Sequence, residues 1–351
     1  MNTTESPGTE ALIWCPVATL FGKRGTIHYS FYSMSGFQYD EYLGSFEHPS
    51  RFNDIGSPEQ IAFYSCFING ANDYRFNDHS ALRRYKGGEL HLPLSLESAA
   101  DREEFRVASV RLEQVPRPSL APVIAACVGP KASDSVRSAD VVTRRGALSS
   151  LGTGEEMTFT VMYVNGKLHI DKKKFVPTPE VLHDGPYFGH CFEEVCTASE
   201  TSEPNGRFCS IVSRRLGDLS IVMAGEVDCA EGGYPSLEHY RELKTQKSRQ
   251  HKNWPKWYLQ SYLLGVPTLI LGNRSKNNLL TSIQTMSMEA LLAKTVTHSP
   301  GFDPTPELLT GILGVLPVNF TFILKAAHSF AQWYLTTKQR RNSFGLGASF
   351  E

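Results

Sequence analysis

The sequence predicts an α+β fold, with mixed or antiparallel sheets flanked by helices. Three observations point there. Met157 to Val164 runs into Asn165-Gly166 and then Lys167 to Ile170, and Asn-Gly is the favoured two-residue turn of a hairpin. Arg207 to Val212 and Leu219 to Cys229 form a second antiparallel pair, joined through Gly217-Asp218. Helical patterns then dominate toward the C-terminal end, and strands followed by helices mark α+β rather than α/β.

The elements follow in order. Residues 1–10 read as a loose polar tail, and 11–75 as short strands and loops rich in aromatics, Gly, Ser and Asn. Asp78 to Tyr85 suggests a helical turn capped by Asp78 or Ser80. Pro116 to Ser138 reads as a long loop. Tyr240 to Thr245 is a short strand. Pro255 fits the first turn of a helix that ends at Gly265. The apolar run Val266 to Gly272 suits a buried strand. Helices are expected at Met286 to Ala293, Pro304 to Leu313 and Phe320 to Thr337, with core-facing apolar spacing in the last. No Pro/Gly linker separates two halves, so residues 11–351 are expected to form a single domain.

Composition narrows the function classes. The chain has 351 residues, enough for a substantial core. Lys and Arg number 35 against 36 Asp and Glu, a net charge of −1, which argues against a broadly basic nucleic-acid coat. It leaves open a protein that grips one end of a nucleic acid. The seven cysteines are odd in number and show no CxxC spacing, which disfavours a zinc ribbon or disulfide framework and suggests reduced thiols in an intracellular protein. The N-terminus lacks the plan of a signal peptide. Gly311 to Leu324 is too short for a span and carries Asn319, so no membrane partner is expected. No P-loop is present.

The chemistry concentrates in two acidic stretches. Glu226-Val227-Asp228 ends the apolar strand that begins at Leu219, and Glu242-Leu243-Lys244 lies in the strand after Tyr240. Residues i and i+2 of a strand share a face. If the strands adjoin, three carboxylates and one ammonium converge. Such crowding is costly unless a cation joins it, and hard oxygen ligands suit Mg²⁺ or Mn²⁺. A metal held by Asp and Glu beside a Lys is a phosphoryl-hydrolysis site. Asp228, a gap, then Glu242-x-Lys244 is the signature of a PD-(D/E)XK-like nuclease core, here without the leading Pro. Glu193-Glu194 upstream and Gln260 on the following helix are accessories common in that core. The basic stretches Lys172 to Lys174 and Lys244 to Lys252 read, apart from Lys244, as solvated loops rather than an RNA funnel.

These residues also carry a resemblance. Gly189 to Glu193 (GHCFE), Gly225 to Cys229 (GEVDC), Tyr240 to Thr245 (YRELKT), Lys256 to Arg274 and Val142 to Gly146 (VTRRG) resemble, in order and spacing, motifs of the DXO family of decapping exonucleases. That family includes fungal proteins that bind the nuclear 5′→3′ exoribonuclease. The resemblance implies a metal set of Glu193, Glu226, Asp228 and Glu242, completed by the Leu243 carbonyl. It implies catalytic roles for Asp228, Glu242, Lys244 and Gln260, the last two holding the attacking water or the scissile phosphate. Arg144, Arg145 and Gly146 would form the substrate end, with Lys244 and Gln260, and Arg145 would grip the 5′-terminal phosphates. Arg144 stands where the family has Trp. Glu194 is a second candidate beside Glu193, but motif register favours Glu193. The implied function is Mg²⁺- or Mn²⁺-dependent hydrolysis at RNA 5′ ends: removal of incomplete or NAD caps, removal of pyrophosphate from triphosphate ends, and 5′→3′ exonuclease action. The alternative is a non-catalytic partner that stabilises a 5′→3′ exoribonuclease. The nucleus is expected ahead of the cytoplasm, and DNA is not an expected substrate.

Overall fold

The structure is a computed structural model. It describes the strand backbones within 18–43 and, with short interruptions, residues 56–105, 120–172, 184–198, 206–247 and 253–299. The strands, in chain order, are β1 Ala18–Lys23, β2 Thr26–Tyr32, β3 Gln38–Leu43, β4 Glu59–Ile68, β5 Asn72–Phe76, β6 Arg84–Tyr85, β7 Leu94–Ser95, β8 Val141–Arg144 and β9 Met157–Val164. They continue as β10 Lys167–Lys172, β11 Thr197–Ala198, β12 Gly206–Leu216, β13 Leu219–Glu226, β14 Cys229–Ala230, β15 Tyr240–Lys247, β16 Thr268–Arg274 and β17 Leu279–Ser287. The helices are α1 Ala121–Ala126, α2 Pro130–Ser138, α3 Arg145–Gly152, α4 Asp184–Cys196, α5 Trp254–Leu264 and α6 Met288–His298.

Among the described residues the strands form two mixed sheets. One has ten strands in the order β3-β2-β1-β9-β10-β8-β13-β12-β4-β5, the other seven in the order β11-β6-β14-β15-β16-β17-β7. Both expected hairpins form: β9 pairs antiparallel with β10, and β12 with β13. Parallel pairs lie at the centres of the sheets, β8 with β10 and β13 in one, β15 with β16 in the other. The fold is therefore the mixed-sheet α+β arrangement that the sequence predicts.

Three apolar clusters define the layers. The largest joins the two sheets: Val141, Phe208, Val212 and Met223 from the first meet Tyr240, Leu269 and Leu271 from the second, with Trp254, Trp257, Leu259 and Leu263 of α5 between them. Burying each such side chain contributes about 1.5–3 kcal/mol. A second cluster covers the outer face of the first sheet with α1 and α2. A third packs Phe188, Cys191 and Phe192 of α4 against Leu243, Ile270 and Leu280. Two glycines bring helices close to the chemistry. A Cβ on Gly225 would lie 2.9 Å from Leu264 and 3.1 Å from Arg145, and one on Gly272 would lie 2.6 Å from the Phe192 ring. A side chain at either position would push α5 or α4 off its strand.

Several expectations are corrected. Pro116 to Ser138 is not one loop: Pro122 and Pro130 open α1 and α2, because proline's fixed φ suits a helix start as well as a turn. Asp78 to Tyr85 holds a single hydrogen-bonded turn, Leu82 donating to the His79 carbonyl at 2.9 Å, and no helix. Asp78 Oδ1 accepts from the Ser80 amide at 3.1 Å, Ser65 Oγ accepts from the Ala81 amide, and the segment ends in β6. The helix expected at Met286 starts at Met288, after a ninth-residue strand end at Ser287 that accepts from the Ala290 amide as its cap. Strand β17 went unseen because its apolar alternation is weak. Cys229 falls outside β13, in β14. The tail at 1–10 and the helices expected at Pro304 to Leu313 and Phe320 to Thr337 lie outside the described residues. The six described cysteines are free thiols.

Candidate active site

The site grows from β15. Tyr240 joins the core between the sheets and Leu243 the α4 cluster, so strand alternation puts Glu242 and Lys244 on the Tyr240 face. Glu242 is fully buried, its side chain 0% exposed. Arg145, the first residue of α3, donates from Nη1 to Glu242 Oε2 at 2.8 Å, and Lys244 Nζ lies 2.6 Å from Oε1. Apart from that ion pair, Oε1 accepts no hydrogen bond among the described residues. Asp228 follows β13 and turns back over β15, where its Oδ2 accepts from the Leu243 amide at 2.7 Å and lies 3.5 Å from Lys244 Nζ.

The charges are unevenly served. Burial would raise the Glu242 carboxyl, but Arg145 and Lys244 outweigh it and pull it down to about 2. Burial, then the Glu242 charge, pushes Asp228 up to about 6. Glu193, on α4, is pushed well above the ordinary carboxylate range by burial and then by Asp228, with Glu226 adding to it. Burial disfavours the Lys244 ammonium, yet Asp228 and Glu242 overcome it and raise its pKa. Two carboxylates therefore remain short of positive charge.

The structure brings Glu193, Asp228, Glu242, Lys244 and Arg145 into one electrostatic group, with Glu226 at its rim. Glu226 is not on a shared strand face with Asp228, because β13 ends at Glu226. It is exposed and lies 3.6 Å from Arg207. Arg145 is not a free phosphate grip: its side chain is only 10% exposed and its fork is engaged by Glu242. Arg144 leaves β8 toward Tyr64, Tyr74 and Cys209, with its Nε 3.6 Å from Asp171. It stands apart from the carboxylates. Gly146 is exposed, and a Cβ there would meet nothing within 4 Å. Gln260 sits half-buried on α5, and its side chain is not drawn into the ion-pair network. Glu194 is held by the two terminal guanidinium nitrogens of Arg83, the Nη2 bond measuring 2.8 Å. Arg83 and Arg207 are site residues that sequence reasoning missed. Arg83 was visible inside the 78–85 segment, and Arg207 by the pairing of β12 with the end of β13.

Among the described residues, no three His, Cys, Asp or Glu side chains gather as a ready-made cation cage. The reason is visible: Arg145 and Lys244 occupy the flanks of Glu242, and an amide holds Asp228. The donor set nevertheless fits a hard divalent cation. It consists of oxygens, one of them a buried carboxylate oxygen met by the Lys244 ammonium, beside two carboxyl groups raised by burial first and by neighbouring carboxylates next.

The model of the RAI1-like PD-(D/E)XK nuclease family matches residues 56–341. The human decapping and exoribonuclease protein is 30% identical over 149 residues, which cover 36% of this chain and 37% of that protein. The decapping nuclease RAI1 of Mycosarcoma maydis is 27% identical over 211 residues, covering 42% of this chain and 41% of its own. The matched region thus spans well under half of these relatives. The fold is shared with Candida albicans Rai1, solved in complex with pU5-Mn²⁺: TM-score 0.60 and 17% identity, over 77% of this chain and 84% of that one. It is also shared with Scheffersomyces stipitis Rai1, solved with (3′-NADP)⁺ and calcium: TM-score 0.60 and 15% identity, over 78% and 86%.

Proposed function

The chain belongs to the RAI1-like PD-(D/E)XK nuclease family, and from that membership we propose that it is a divalent-metal-dependent hydrolase of RNA 5′ ends. The observation that carries this reading is the buried Glu242 between Arg145 and Lys244, with Asp228 and Glu193 beside it short of positive charge. Relatives named as decapping nucleases and exoribonucleases, and a related structure with a 5′-phosphorylated pentanucleotide and Mn²⁺, support it. We read residues 11–351 as one catalytic domain, a reading supported by the core that the two sheets share.

Glu193, Asp228 and Glu242 would hold Mg²⁺ or Mn²⁺, with Glu226 and the Leu243 carbonyl extending the set. The ion supplies Lewis-acid charge that lowers the pKa of water and offsets charge on phosphate oxygens. Hydrolysis then joins the water oxygen to phosphorus and breaks the P–O bond to the leaving group, which takes a proton. Lys244, its pKa raised, stays an ammonium. It therefore donates to a phosphate oxygen or orients the water, and does not act as a base. Arg145 fixes Glu242 in the ionised state, so its contribution comes through that carboxylate. Gln260 on α5 is assigned to water or phosphate positioning, and Gly146, with open space around it, to the passage of the 5′ end.

The resemblance to the fungal members supports a nuclear 5′→3′ exoribonuclease as partner and the nucleus ahead of the cytoplasm as location. A panel of RNAs with monophosphate, triphosphate, unmethylated-cap, mature-cap and NAD ends, each with Mn²⁺ or Mg²⁺, tests the activity. Metal-dependent release from at least one 5′ end is expected. Inertness toward all of them, with a folded protein, would favour the scaffold alternative.

A further inference from the structure

Glu242, Lys244 and Gln246 share one face of β15. Gln246 lies about 7 Å beyond Lys244 along the strand. The register sets Gln246 beside Asn273 of β16, and Asn273 beside Ser282 of β17. Their side chains are joined. Gln246 Nε2 donates to Asn273 Oδ1 at 2.9 Å, and Asn273 Nδ2 donates to Ser282 Oγ at 3.0 Å. Deeper on the same face, Leu269, Leu271 and Met286 are buried in the apolar core. The surface thus turns from apolar to polar just past Lys244, at the carboxyl ends of the parallel pair β15 and β16. Ligands of parallel strands bind at those ends.

One atom in this row is unserved. Gln246 Oε1 is buried and, among the described residues, accepts no hydrogen bond. Its amide nitrogen is committed to Asn273, so rotating the group would break the row. What Oε1 lacks is a donor. The row carries no charge, which makes it a poor grip for a phosphate, and suits it to a neutral hydroxyl. The 2′-hydroxyl is the group by which a protein tells RNA from DNA.

We propose that Gln246 reads the 2′-hydroxyl of a ribose adjoining the linkage held at Lys244, with Oε1 accepting its hydrogen bond. This rests on the reading of the chain as an RNA 5′-end hydrolase. The strand would then be selected as RNA at the site of chemistry rather than by contacts along its length.

The test uses the full chain with Mn²⁺ and 5′-phosphorylated RNA pentamers. Each pentamer carries one 2′-deoxy or 2′-fluoro substitution at the first, second or third nucleotide. The expected result is a loss in kcat/KM of about tenfold at one of these positions for both substitutions, the worth of one hydrogen bond. Fluorine cannot donate, so it should behave as deoxy does. Gln246→Leu should process the all-ribose and substituted strands at equal rates. An unchanged Tm and an unchanged rate on the 2′-deoxy-substituted strands, relative to wild type, guard against a folding defect in that variant. Equal discrimination by wild type and Gln246→Leu would overturn the proposal, as would hydrolysis without any 2′ preference. A wild type that hydrolyses no RNA would instead overturn the hydrolase reading.

Discussion

Glu242 and Asp228 lie on neighbouring segments, yet their surroundings push them in opposite directions. Glu242 has a cation on either side and is held ionised, near 2; Asp228 has a backbone amide and a shared Lys244, and rises to about 6. Burial and the same two cations, Arg145 and Lys244, act on both; what differs is that both cations touch Glu242 directly, while Asp228 also meets the Glu242 charge. The lesson is a division of labour. The protein neutralises one carboxylate with its own side chains and leaves Asp228 and Glu193 with their charge less well matched.

Removing the served carboxylate should have the largest effect. Glu242→Gln leaves Arg145 and Lys244 buried without their counter-charge, so a loss of about 3–5 kcal/mol is expected in denaturant unfolding. RNA hydrolysis should vanish with it. Arg145→Ala should cost a similar amount, because it strands Glu242. A sequence reading of Arg145 as a phosphate grip predicts an effect on activity far larger than on stability. Equal losses in Tm and activity would support the buried-pair role, and an unchanged Tm would break it.

Asp228→Asn sharpens the contrast. It removes a charge that burial disfavours, so stability without metal at pH 7 should hold or rise. Activity should fall as far as in the Glu242 variant, and the increase in Tm on adding Mn²⁺ should disappear.

The pH dependence carries a definite sign. A raised carboxyl pKa makes the charged form costly, so without metal Asp228 loses stability for the protein as pH rises through about 6. Glu242 has the reverse sign: its stabilisation is present above the ordinary carboxylate range and is lost as pH falls toward 2. Metal binding must displace the protons on Asp228 and Glu193. Affinity for Mn²⁺ by calorimetry should therefore climb with pH, by about tenfold per unit for each proton displaced, and less steeply above about 6, where Asp228 has lost its own. The smallest effect belongs to the rim. Arg207→Ala breaks an exposed pair with Glu226, worth at most about 1 kcal/mol.

Much of the site was legible because its information is local. Strand alternation alone put Glu242 and Lys244 on one face, and motif order added Glu193 and Asp228. The partners were not legible. Arg145 meets Glu242 across 97 positions, and Arg83 meets Glu194 across 111. No periodicity connects residues so far apart. Arg144 and Arg145 look interchangeable in the string, yet one faces Asp171 and the other Glu242, because β8 gives way to α3 between them. The same limit applied to α1 and α2, where Pro122 and Pro130 fit a loop or a helix start equally well until packing against the first sheet decides.

The most direct test is an anomalous-difference map from crystals soaked in Mn²⁺ at a pH above the Asp228 range. A peak among the carboxylates of Glu193, Asp228 and Glu242, absent in crystals of Asp228→Asn, is the expected result. Fully soaked wild-type crystals with no peak there, or a peak that persists unchanged in Asp228→Asn, would contradict a cation supplied from solution as the missing charge of this site.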